Sequence, residues 1–571
     1  MKLVVGRGEF YFSATLRLRV FAFGLLNLCR RGREIEGPVR CPRRLGAAFH
    51  PWLRIGVLLS VLFSWLPAAG GHATILRVRL FVKTFRQLYR QNLSLATDLY
   101  QLTMAQGYWK MGRTGQEAVF HLHFRKNPFQ GGFTVACGLA SVMDFLSNFH
   151  FDSEDLAYLG SLPGNDGHPL FDPSFLRYLG EMRFECDVDA IPEGATVFPQ
   201  EPLVRVKGPI IQAQIIETPL LNLINFQTLI ATKAARVCHA ARGEPVLEFG
   251  LRRAQGMDGG LSASWAACVG GCAATSNVLA GKLFGIPVRG THAHSWVMSF
   301  GSELESFRAY AGAMPNNAVF LVDTYNTVEG IRHAVEVGRW LKENGHELAG
   351  IRLDSGDLAY LSIQARRILD EAGFRDAVIV ASNDLDEHII DSLKEQGAAV
   401  NVWGVGTKLV TGYDQPALGG VYKLAMIRDP GGPWRHTLKL SEQSLKISTP
   451  GIQQVRRFTQ AQEFIGDMIY DLELGIKPRA VIVDPFDPTR RKVIAAEAAF
   501  EDLLIPVFRS GRQVYQSPTL EEIRLYAARQ RERFHAGIKR FVNPHQYPVG
   551  LEEGLHELKT NLVLEARGFK D

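Results

Sequence analysis

The chain has 571 residues, of which 46% are hydrophobic and 21% are charged. This composition is typical of a soluble globular protein and excludes disordered and collagen-like chains, and the length allows two or three hydrophobic cores. The net charge of +6 comes from the N-terminus: residues 1–90 hold 16 Lys and Arg against 3 Asp and Glu, and the rest of the chain holds 48 against 55. Since no basic, aromatic-rich stripe follows residue 90, we expect no nucleic-acid partner.

Residues 1–90 differ from the rest of the chain. They contain an almost wholly apolar stretch at 55–66, followed by Pro67 and small residues. This stretch is too short to span a membrane, which takes about 20 residues, and it lies too far from the start for a signal peptide. We expect residues 1–90 to be a basic, partly apolar extension, or a mispredicted start, without a catalytic role, and we expect no membrane partner.

The seven cysteines are scattered, odd in number, and lack a C-x-x-C pair or the His spacing of a zinc site. We interpret them as reduced, buried thiols. Cys268 and Cys272 could approach one another on a helix, but buried small residues are the commoner explanation for such a pair.

The folded part of the chain begins near residue 93. Apolar spacing predicts a helix over 95–109 and strands at 119–124 and 203–206. After residue 215 strands and helices alternate, which favours parallel strands in a barrel or an open sheet. These strands are predicted at 246–249, 288–290, 319–322, 350–353, 378–381 and 400–403.

The alternation stops near residue 440, and a charged helix is predicted from Leu520 to about Phe534. We therefore divide the folded part into an N-terminal α/β part (91–215), a barrel or open sheet of alternating strands and helices (216–440) and a C-terminal completing segment (441–571).

Polar residues or glycine end several of the predicted strands. In a barrel these ends gather at one face, where the chemistry of such folds takes place. Helix N-capping is the alternative explanation for each of these residues. The residues are Thr291, Asp323, Asp354, Ser382 and Gly404.

Arg352 and Asp354 lie two residues apart on a predicted strand, so their side chains point to the same side. The cation can hold an anionic substrate while the carboxylate accepts hydrogen bonds from sugar hydroxyls. The alternative is a structural ion pair.

His292 and His294 flank Ala293 after Gly290. A third metal ligand at useful spacing is missing, and metal ligands stay unassigned. We expect His292 to pack or form hydrogen bonds, whereas His294 suits a nucleophile or a proton carrier.

Glycine-rich segments can bring backbone amides close to phosphate, although each is also explained as a tight turn. Aromatic and cationic candidates accompany them: Tyr100 can stack on a flat heterocycle or belong to the core, and Arg252 and Arg253 can bind phosphate or form a surface pair. Thr407 directly follows one of these glycines, Gly406. The full set is Gly131, Gly132, Gly404, Gly406, Gly419 and Gly420.

Ten segments between residues 93 and 570 resemble, in order, those of the nicotinate phosphoribosyltransferase family. Met257 departs from the family pattern, which has proline more often at that position, and residues 1–90 match nothing in it. The segments are TDLYQ at 97–101, FRKNPF at 124–129 with GGF at 131–133, ETPLL at 217–221, FGLRRAQG at 249–256, GTHAH at 290–294, VDTY at 322–325, RLDSGD at 352–357, SN at 382–383, GVGT at 404–407 and GGVYK at 419–423.

The resemblance implies the type II phosphoribosyltransferase fold, with an irregular (β/α) barrel packed on an α/β domain formed by the N-terminal and C-terminal segments. It also implies a cytoplasmic homodimer with sites near the subunit boundary. The implied reaction joins nicotinate to phosphoribosyl pyrophosphate, yielding nicotinate mononucleotide and pyrophosphate for NAD biosynthesis, with coupled ATP hydrolysis and Mg²⁺ on the phosphates.

Residue roles carry over by position. Tyr100 resembles the residue that stacks on nicotinate, Thr291 and Arg352 resemble its other contacts, and His294 resembles the histidine that ATP phosphorylates. The phosphorylated ribose is expected at Thr407 with Gly404 and Gly406, and the ribose hydroxyls at Asp354. Arg253, Gly419 and Gly420 are expected to bind substrate as well.

Three alternatives stay open. Two are enzymes of the same fold that use nicotinamide or quinolinate. The third is a barrel that binds sugar phosphate without turning it over.

Overall fold

The computed structural model describes residues 92–569, so the predicted extension at 1–90 and its apolar stretch lie outside them. Among the described residues, no helix is both long and apolar enough to cross a membrane.

The N-terminal part of the chain supplies a helical layer and three strands of a larger sheet. The helix predicted over 95–109 begins slightly later, at Leu99, after Asp98 in extended conformation. In chain order the elements are α1 (Leu99–Lys110), β1 (Glu117–Phe124), β2 (Thr134–Val135), α2 (Leu139–Ser147), α3 (Ser153–Gly160), α4 (Pro173–Glu181), β3 (Asp187–Ala190), β4 (Thr196–Val197), β5 (Val204–Pro209), α5 (Ile210–Ile215) and α6 (Glu217–Ala240).

The middle of the chain alternates strand and helix as predicted. The strands are short and their interior residues are buried, as expected where helices cover a parallel sheet. The elements are β6 (Val246–Glu248), α7 (Gly256–Gly270), β7 (Ala274–Thr275), α8 (Val278–Phe284), α9 (His294–Met298), α10 (Glu303–Ala313), β8 (Val319–Leu321), α11 (Thr327–Glu343), β9 (Gly350–Leu353), α12 (Leu358–Glu371), β10 (Val378–Ala381), α13 (Glu387–Glu395), β11 (Val402–Val405) and α14 (Thr407–Val410).

The last part of the chain contributes most of the remaining strands and two helices. The helix predicted from Leu520 is present and carries a capping box at Thr519. The elements are β12 (Gly420–Arg428), β13 (Arg435–His436), β14 (Gln453–Gln460), β15 (Glu463–Asp471), β16 (Val481–Val483), β17 (Arg491–Val493), β18 (Ala499–Asp502), β19 (Ile505–Arg509), β20 (Arg512–Gln513), α15 (Leu520–Glu532), β21 (Val549–Glu552) and α16 (Glu553–Ala566).

Six strands form a parallel sheet in the order β7-β6-β11-β10-β9-β8. A strand was predicted at 288–290, and this prediction was wrong: the segment forms only a bridge from Val288 to Thr275. Pro287 has no amide hydrogen to donate to a ladder. On the side that faces β8, the backbone N–H of Leu321 donates to His292 Nε2 at 3.2 Å and not to a backbone carbonyl of this segment. The segment thereby closes the barrel irregularly.

A seven-stranded antiparallel sheet joins distant parts of the chain, in the order β13-β12-β1-β5-β3-β19-β20. Strand β12 pairs along the whole length of β1. Strand β11 is therefore the last strand of the barrel, and from Gly420 onward the chain is again part of the α/β domain. Strand β19, from the C-terminal segment, pairs with β3. This sheet is the α/β domain built from both ends of the chain.

The C-terminal segment also forms a six-stranded mixed sheet of its own, in the order β17-β16-β21-β15-β14-β18. Its residues enter both large cores, since Phe534 and Tyr547 pack with the barrel and Phe508 and Leu551 pack with the antiparallel sheet. The segment therefore connects the two halves of the molecule.

A buried carboxyl pair ties this segment to the N-terminal part. Glu201 is fully buried and accepts a hydrogen bond from Phe198 N at 2.8 Å. Its Oε1 has no partner among the described polar donors. Burial and the adjacent Asp467 raise the pKa of Glu201 well above its ordinary value, against the opposing charge of Arg457. Glu201 therefore favours the protonated form, which can donate a hydrogen bond to Asp467.

Glu201→Gln tests this protonation. A carboxyl whose pKa is raised by folding stabilises the protein below its unfolded pKa, and that stability is lost as the pH rises through the folded pKa. Glutamine cannot ionise, so the Tm of the variant minus that of wild type should grow by several degrees between pH 5 and pH 9 in differential scanning fluorimetry. The exposed Glu473→Gln serves as the control. A Tm difference that is constant across this range contradicts the assignment.

Candidate active site

The polar residues at the strand ends meet at the carboxyl edge of the parallel sheet, as predicted. They are not helix caps. The caps lie three or four positions further along the chain, where each side chain accepts an amide hydrogen bond of its helix: Asn326, Asp357 and Asp386. Asp323, Asp354 and Ser382 are thereby left to contact one another and any ligand.

Arg352 lies at the centre of this group. It donates from Nε to Ser382 Oγ at 2.8 Å, from Nη1 to Thr291 Oγ1 at 3.1 Å and from Nη2 to Asp354 Oδ1 at 2.8 Å. Its Cζ lies 5.6 Å from the centroid of the Phe249 ring. A guanidinium has five N–H donors, so two remain after these three bonds, one on each Nη. Two N–H groups on neighbouring nitrogens of a guanidinium can bind a carboxylate in bidentate fashion.

Asp354 is held in its ionised form. Burial opposes its charge, but hydrogen bonding from Ser382 and the positive charge of Arg352 outweigh burial and lower the pKa of Asp354 below its ordinary value. Its backbone amide donates to Asp323 Oδ2 at 2.8 Å. The carboxylate is therefore charged at neutral pH and fixed in position.

His294 lies next to Asp354. Its Nδ1 is 3.1 Å from Thr324 Oγ1, and its Nε2 is 3.7 Å from Asp354 Oδ2. The first distance is a hydrogen bond and the second is longer than one. The side chain is 39% exposed, so a ligand can reach the imidazole while Thr324 orients the ring.

A cavity of about 120 Å³ opens at these strand ends. Arg252 and Arg253 stand exposed on its wall, and neither has a carboxylate partner among residues 92–569. Unpaired guanidinium groups beside a cavity suit phosphate. The other residues that line it are Phe249, Arg352, Asp354, Ser382, Asn383, Asp384, Gly404, Gly406 and Thr407.

The glycines of this cavity are required by packing. A Cβ on Gly404 would lie 2.8 Å from the ring of Phe249, and one on Gly406 would lie 3.1 Å from the Phe249 carbonyl. The ends of β6 and β11 therefore lie close together, with no side chain at either glycine between them.

Models of the nicotinate phosphoribosyltransferase N-terminal and C-terminal domains match residues 95–225 and 452–559. A nicotinate phosphoribosyltransferase of Bacillus subtilis is 43% identical over 489 residues, which cover 83% of this chain and 97% of that protein. The chain belongs to the nicotinate phosphoribosyltransferase family.

Solved structures agree with this family assignment. The crystal structure of human nicotinic acid phosphoribosyltransferase matches with a TM-score of 0.71 at 34% identity, over 82% of this chain and 99% of that chain. A nicotinate-nucleotide pyrophosphorylase from Pyrococcus furiosus shares the fold, with a TM-score of 0.60 at 20% identity over 80% and 98% of the two chains. The predicted type II phosphoribosyltransferase fold is confirmed.

In this member of the nicotinate phosphoribosyltransferase family, His292 packs against aromatic rings, as expected from the sequence. Its ring lies 4.9 Å from Tyr310 and 6.0 Å from Phe307, centroid to centroid. Burial lowers its pKa to about 4, with the charge of Arg352 adding to the effect. The ring is neutral near pH 7, so its Nε2 can accept the amide hydrogen of Leu321.

Tyr100, Gly419 and Gly420 lie in the α/β domain, away from the barrel cavity of the same chain. Tyr100 is 47% exposed in the first turn of α1. Partial burial and the nearby Glu217 raise its pKa. Gly420 lies opposite Phe124 in the antiparallel sheet and donates to Asn225 Oδ1 at 3.0 Å. Gly419 has a φ of 79°, which favours glycine.

Four residues of this site had no role predicted from the sequence: Phe249, Asp323, Thr324 and Ser382. Two of them carried a signal, because Asp323 and Ser382 each follow a predicted strand. Phe249 follows β6, but its contact with Arg352 depends on the distance between β6 and β9 across the sheet. Sequence spacing does not give that distance.

Proposed function

We propose that the protein transfers the phosphoribosyl group of phosphoribosyl pyrophosphate to nicotinate, forming nicotinate mononucleotide and pyrophosphate in NAD biosynthesis, with coupled ATP hydrolysis. The observation that carries the proposal is the guanidinium of Arg352, which retains two donors in a cavity shared with a charged carboxylate and unpaired arginines. Family membership supports the same conclusion.

In this proposal Arg352 binds the carboxylate of nicotinate. The two unused N–H groups match the two carboxylate oxygens, and the hydroxyl of Thr291 is within reach because it already contacts Arg352. Nicotinamide lacks the negative charge that would pair with the guanidinium. Selectivity for the acid follows from this difference.

The phosphates of the second substrate are assigned to other residues that line the same cavity. Arg252 and Arg253 supply positive charge, and Gly404 and Gly406 with Thr407 supply backbone amides and a hydroxyl. These groups together suit a substrate with several phosphoryl groups.

Asp354 is assigned to the ribose. An ionised carboxylate accepts hydrogen bonds from sugar hydroxyls, and its negative charge stabilises positive charge that develops on the ring as pyrophosphate departs. Its lowered pKa keeps this charge throughout the neutral range.

His294 is assigned as the residue phosphorylated by ATP. With Nδ1 bonded to Thr324, the lone pair of Nε2 can attack the γ-phosphorus. A bond forms between Nε2 and phosphorus while the bond from phosphorus to the departing ADP oxygen breaks. Hydrolysis of this phosphohistidine completes the coupled step.

Mg²⁺ is expected with both phosphorylated substrates. No group of three His, Cys, Asp or Glu in the described part of the chain is arranged to hold a metal. This fits an ion bound mainly by substrate phosphates and one or two protein carboxylates. Asp323 Oδ1 is buried and has no hydrogen-bond partner in residues 92–569, so we assign it as the protein oxygen. The ion would neutralise phosphate charge.

We also propose a cytoplasmic homodimer. Tyr100, Gly419 and Gly420 lie away from the cavity of their own chain, and a two-fold partner would bring them to the other subunit's site. Leu99 and Met104 expose apolar surface on the same helix as Tyr100. The described cysteines are free thiols, as is usual in the cytoplasm.

A product assay tests the proposed reaction. The purified protein is supplied with phosphoribosyl pyrophosphate, ATP, Mg²⁺ and either nicotinate, nicotinamide or quinolinate, and the nucleotide and pyrophosphate are measured. We expect nicotinate mononucleotide to form fastest. Preference for nicotinamide or quinolinate would overturn the substrate, and no pyrophosphate release at saturation would favour a non-catalytic barrel.

A further inference from the structure

Two cysteine thiols meet where two helices and the C-terminal segment pack together, outside the proposed active site. Cys238 lies near the end of helix α6 (Glu217–Ala240), and Cys272 follows the end of α7 (Gly256–Gly270). The two helices pack on each other, and α15 (Leu520–Glu532) packs on α7. Residues far apart in sequence thereby surround one small volume.

Gly271 allows the close approach of these groups. Its φ of 125° favours glycine, and a Cβ at this position would lie 3.3 Å from Cys238 Sγ and 3.6 Å from Arg531 Nη2. Cys272 directly follows Gly271, so its backbone begins one residue from the position that faces Cys238 Sγ. The two thiols are close enough that each shifts the pKa of the other, and side-chain rotation is the movement that brings such a pair to disulfide geometry.

Arg531 places a positive charge beside the pair. Its Nη1 is buried and has no hydrogen-bond acceptor among the described residues. A buried cation that lacks an acceptor stabilises a neighbouring thiolate. The hydrogen bond from Cys272 lowers the pKa of Cys238, as do the charges of Arg531 and Arg524, against the opposing effect of burial.

The two thiols differ in exposure and in pKa. Cys238 has the properties of a reactive cysteine, and Cys272 has those of the resolving cysteine that attacks it after oxidation. Cys238 is partly exposed, whereas Cys272 is 1% exposed. The hydrogen bond to Cys238 and burial raise the pKa of Cys272 well above its ordinary value. The nearby Cys268 is also buried, and burial raises its pKa to about 12. Cys238 is therefore the thiol that an oxidant reaches first.

We propose that Cys238 and Cys272 are a redox modification site, at which a hydroperoxide converts the two thiols into a reversible disulfide. The Cys238 thiolate attacks a peroxide oxygen, the O–O bond breaks, and the protonated leaving oxygen departs as water or alcohol. The resulting sulfenic acid is attacked by the sulfur of Cys272, which loses its proton, and the S–O bond breaks with release of water. Two thiols are oxidised and one peroxide is reduced.

Peptide mapping of the full chain tests the site. The reduced protein is treated with hydrogen peroxide, alkylated and digested, and its intact mass is compared with that of untreated protein. We expect a peptide linking Cys238 to Cys272 and the loss of two hydrogen atoms per chain, both reversed by dithiothreitol. Cys238→Ser and Cys272→Ser should lack the linked peptide, and the matched control Cys268→Ser should retain it. Thermal unfolding shows whether each variant is folded.

The rate of oxidation tests the role of the buried cation without removing a thiol. Arg531→Gln should slow disulfide formation at pH 7 by about 3- to 10-fold, because the thiolate is the attacking species. The pH at which the rate is half of its maximum should be higher in this variant. The exposed Arg529→Gln should leave both unchanged. The groups that face the two thiols are Arg524, Arg531, Cys268 and Glu248.

Three outcomes would overturn the proposal. They are oxidation of Cys238 to its sulfinic acid while Cys272 stays a free thiol, a linked peptide that contains Cys268 in place of either residue, and equal rates for Arg531→Gln and Arg529→Gln.

Discussion

Arg352→Gln raises the KM for nicotinate by roughly 10- to 100-fold, a net loss equivalent to one hydrogen bond to a charged group, about 1.5–3 kcal/mol. Glutamine keeps a polar side chain but loses the charge and the fork of donors. The variant also loses the bonds to Ser382 and Asp354, so kcat should fall as well. Steady-state kinetics with nicotinate as the varied substrate measure both effects.

The control for this variant is Arg367→Gln, on an exposed position of helix α12, which should keep wild-type kinetics. Nicotinamide supplies a second control, because its binding does not use the carboxylate contact. We expect Arg352→Gln to reduce the preference for nicotinate over nicotinamide. An unchanged preference together with an unchanged KM for nicotinate would contradict the role of Arg352.

His294→Gln abolishes the stimulation of the reaction by ATP. Glutamine can keep a hydrogen bond to Thr324, but it has no nucleophilic nitrogen to accept the γ-phosphoryl group. Phosphoribosyl transfer without ATP should persist at its unstimulated rate. The measurement compares initial rates with and without ATP and follows acid-labile phosphate on the protein.

His168→Gln, an exposed substitution in the α/β domain, is the matched control and should keep full ATP coupling. Thermal unfolding of both variants shows whether the fold is preserved. If His294→Gln still hydrolyses ATP in step with product formation, the phosphohistidine lies elsewhere.

Local patterns in the sequence were sufficient to predict the centre of the site. The two-residue spacing of Arg352 and Asp354 placed both side chains on one side of β9, and they form an ion pair of 2.8 Å. Alternation of strands and helices predicted the parallel sheet, and the residues after each strand gather at one edge because parallel strands share a direction. Only short-range geometry is needed for these inferences.

Contacts between segments that are distant in the chain could not be predicted from local sequence patterns. Strand β12 belongs to the N-terminal sheet because it pairs with β1, about 300 residues earlier in the chain, and no local pattern near Gly420 indicates this partner. The same is true of Cys238 and Cys272, which were interpreted as buried thiols without a relation to each other. Their contact depends on the packing of α6 against α7, which is a tertiary property.

The irregular closure of the barrel marks another limit. The apolar run at 288–290 has the composition of a strand, but Pro287 and the side-chain acceptor of His292 replace regular pairing. The irregular segment at 288–290 ends directly before Thr291 and four residues before His294, which are assigned to substrate and ATP.

The most direct test is a crystal structure of the full chain with nicotinate mononucleotide bound. We expect the pyridine carboxylate within hydrogen-bond distance of the Arg352 guanidinium, the ribose hydroxyls at Asp354 and the phosphate near Thr407. A nucleotide bound with its carboxylate away from Arg352, or outside the barrel cavity, would contradict it.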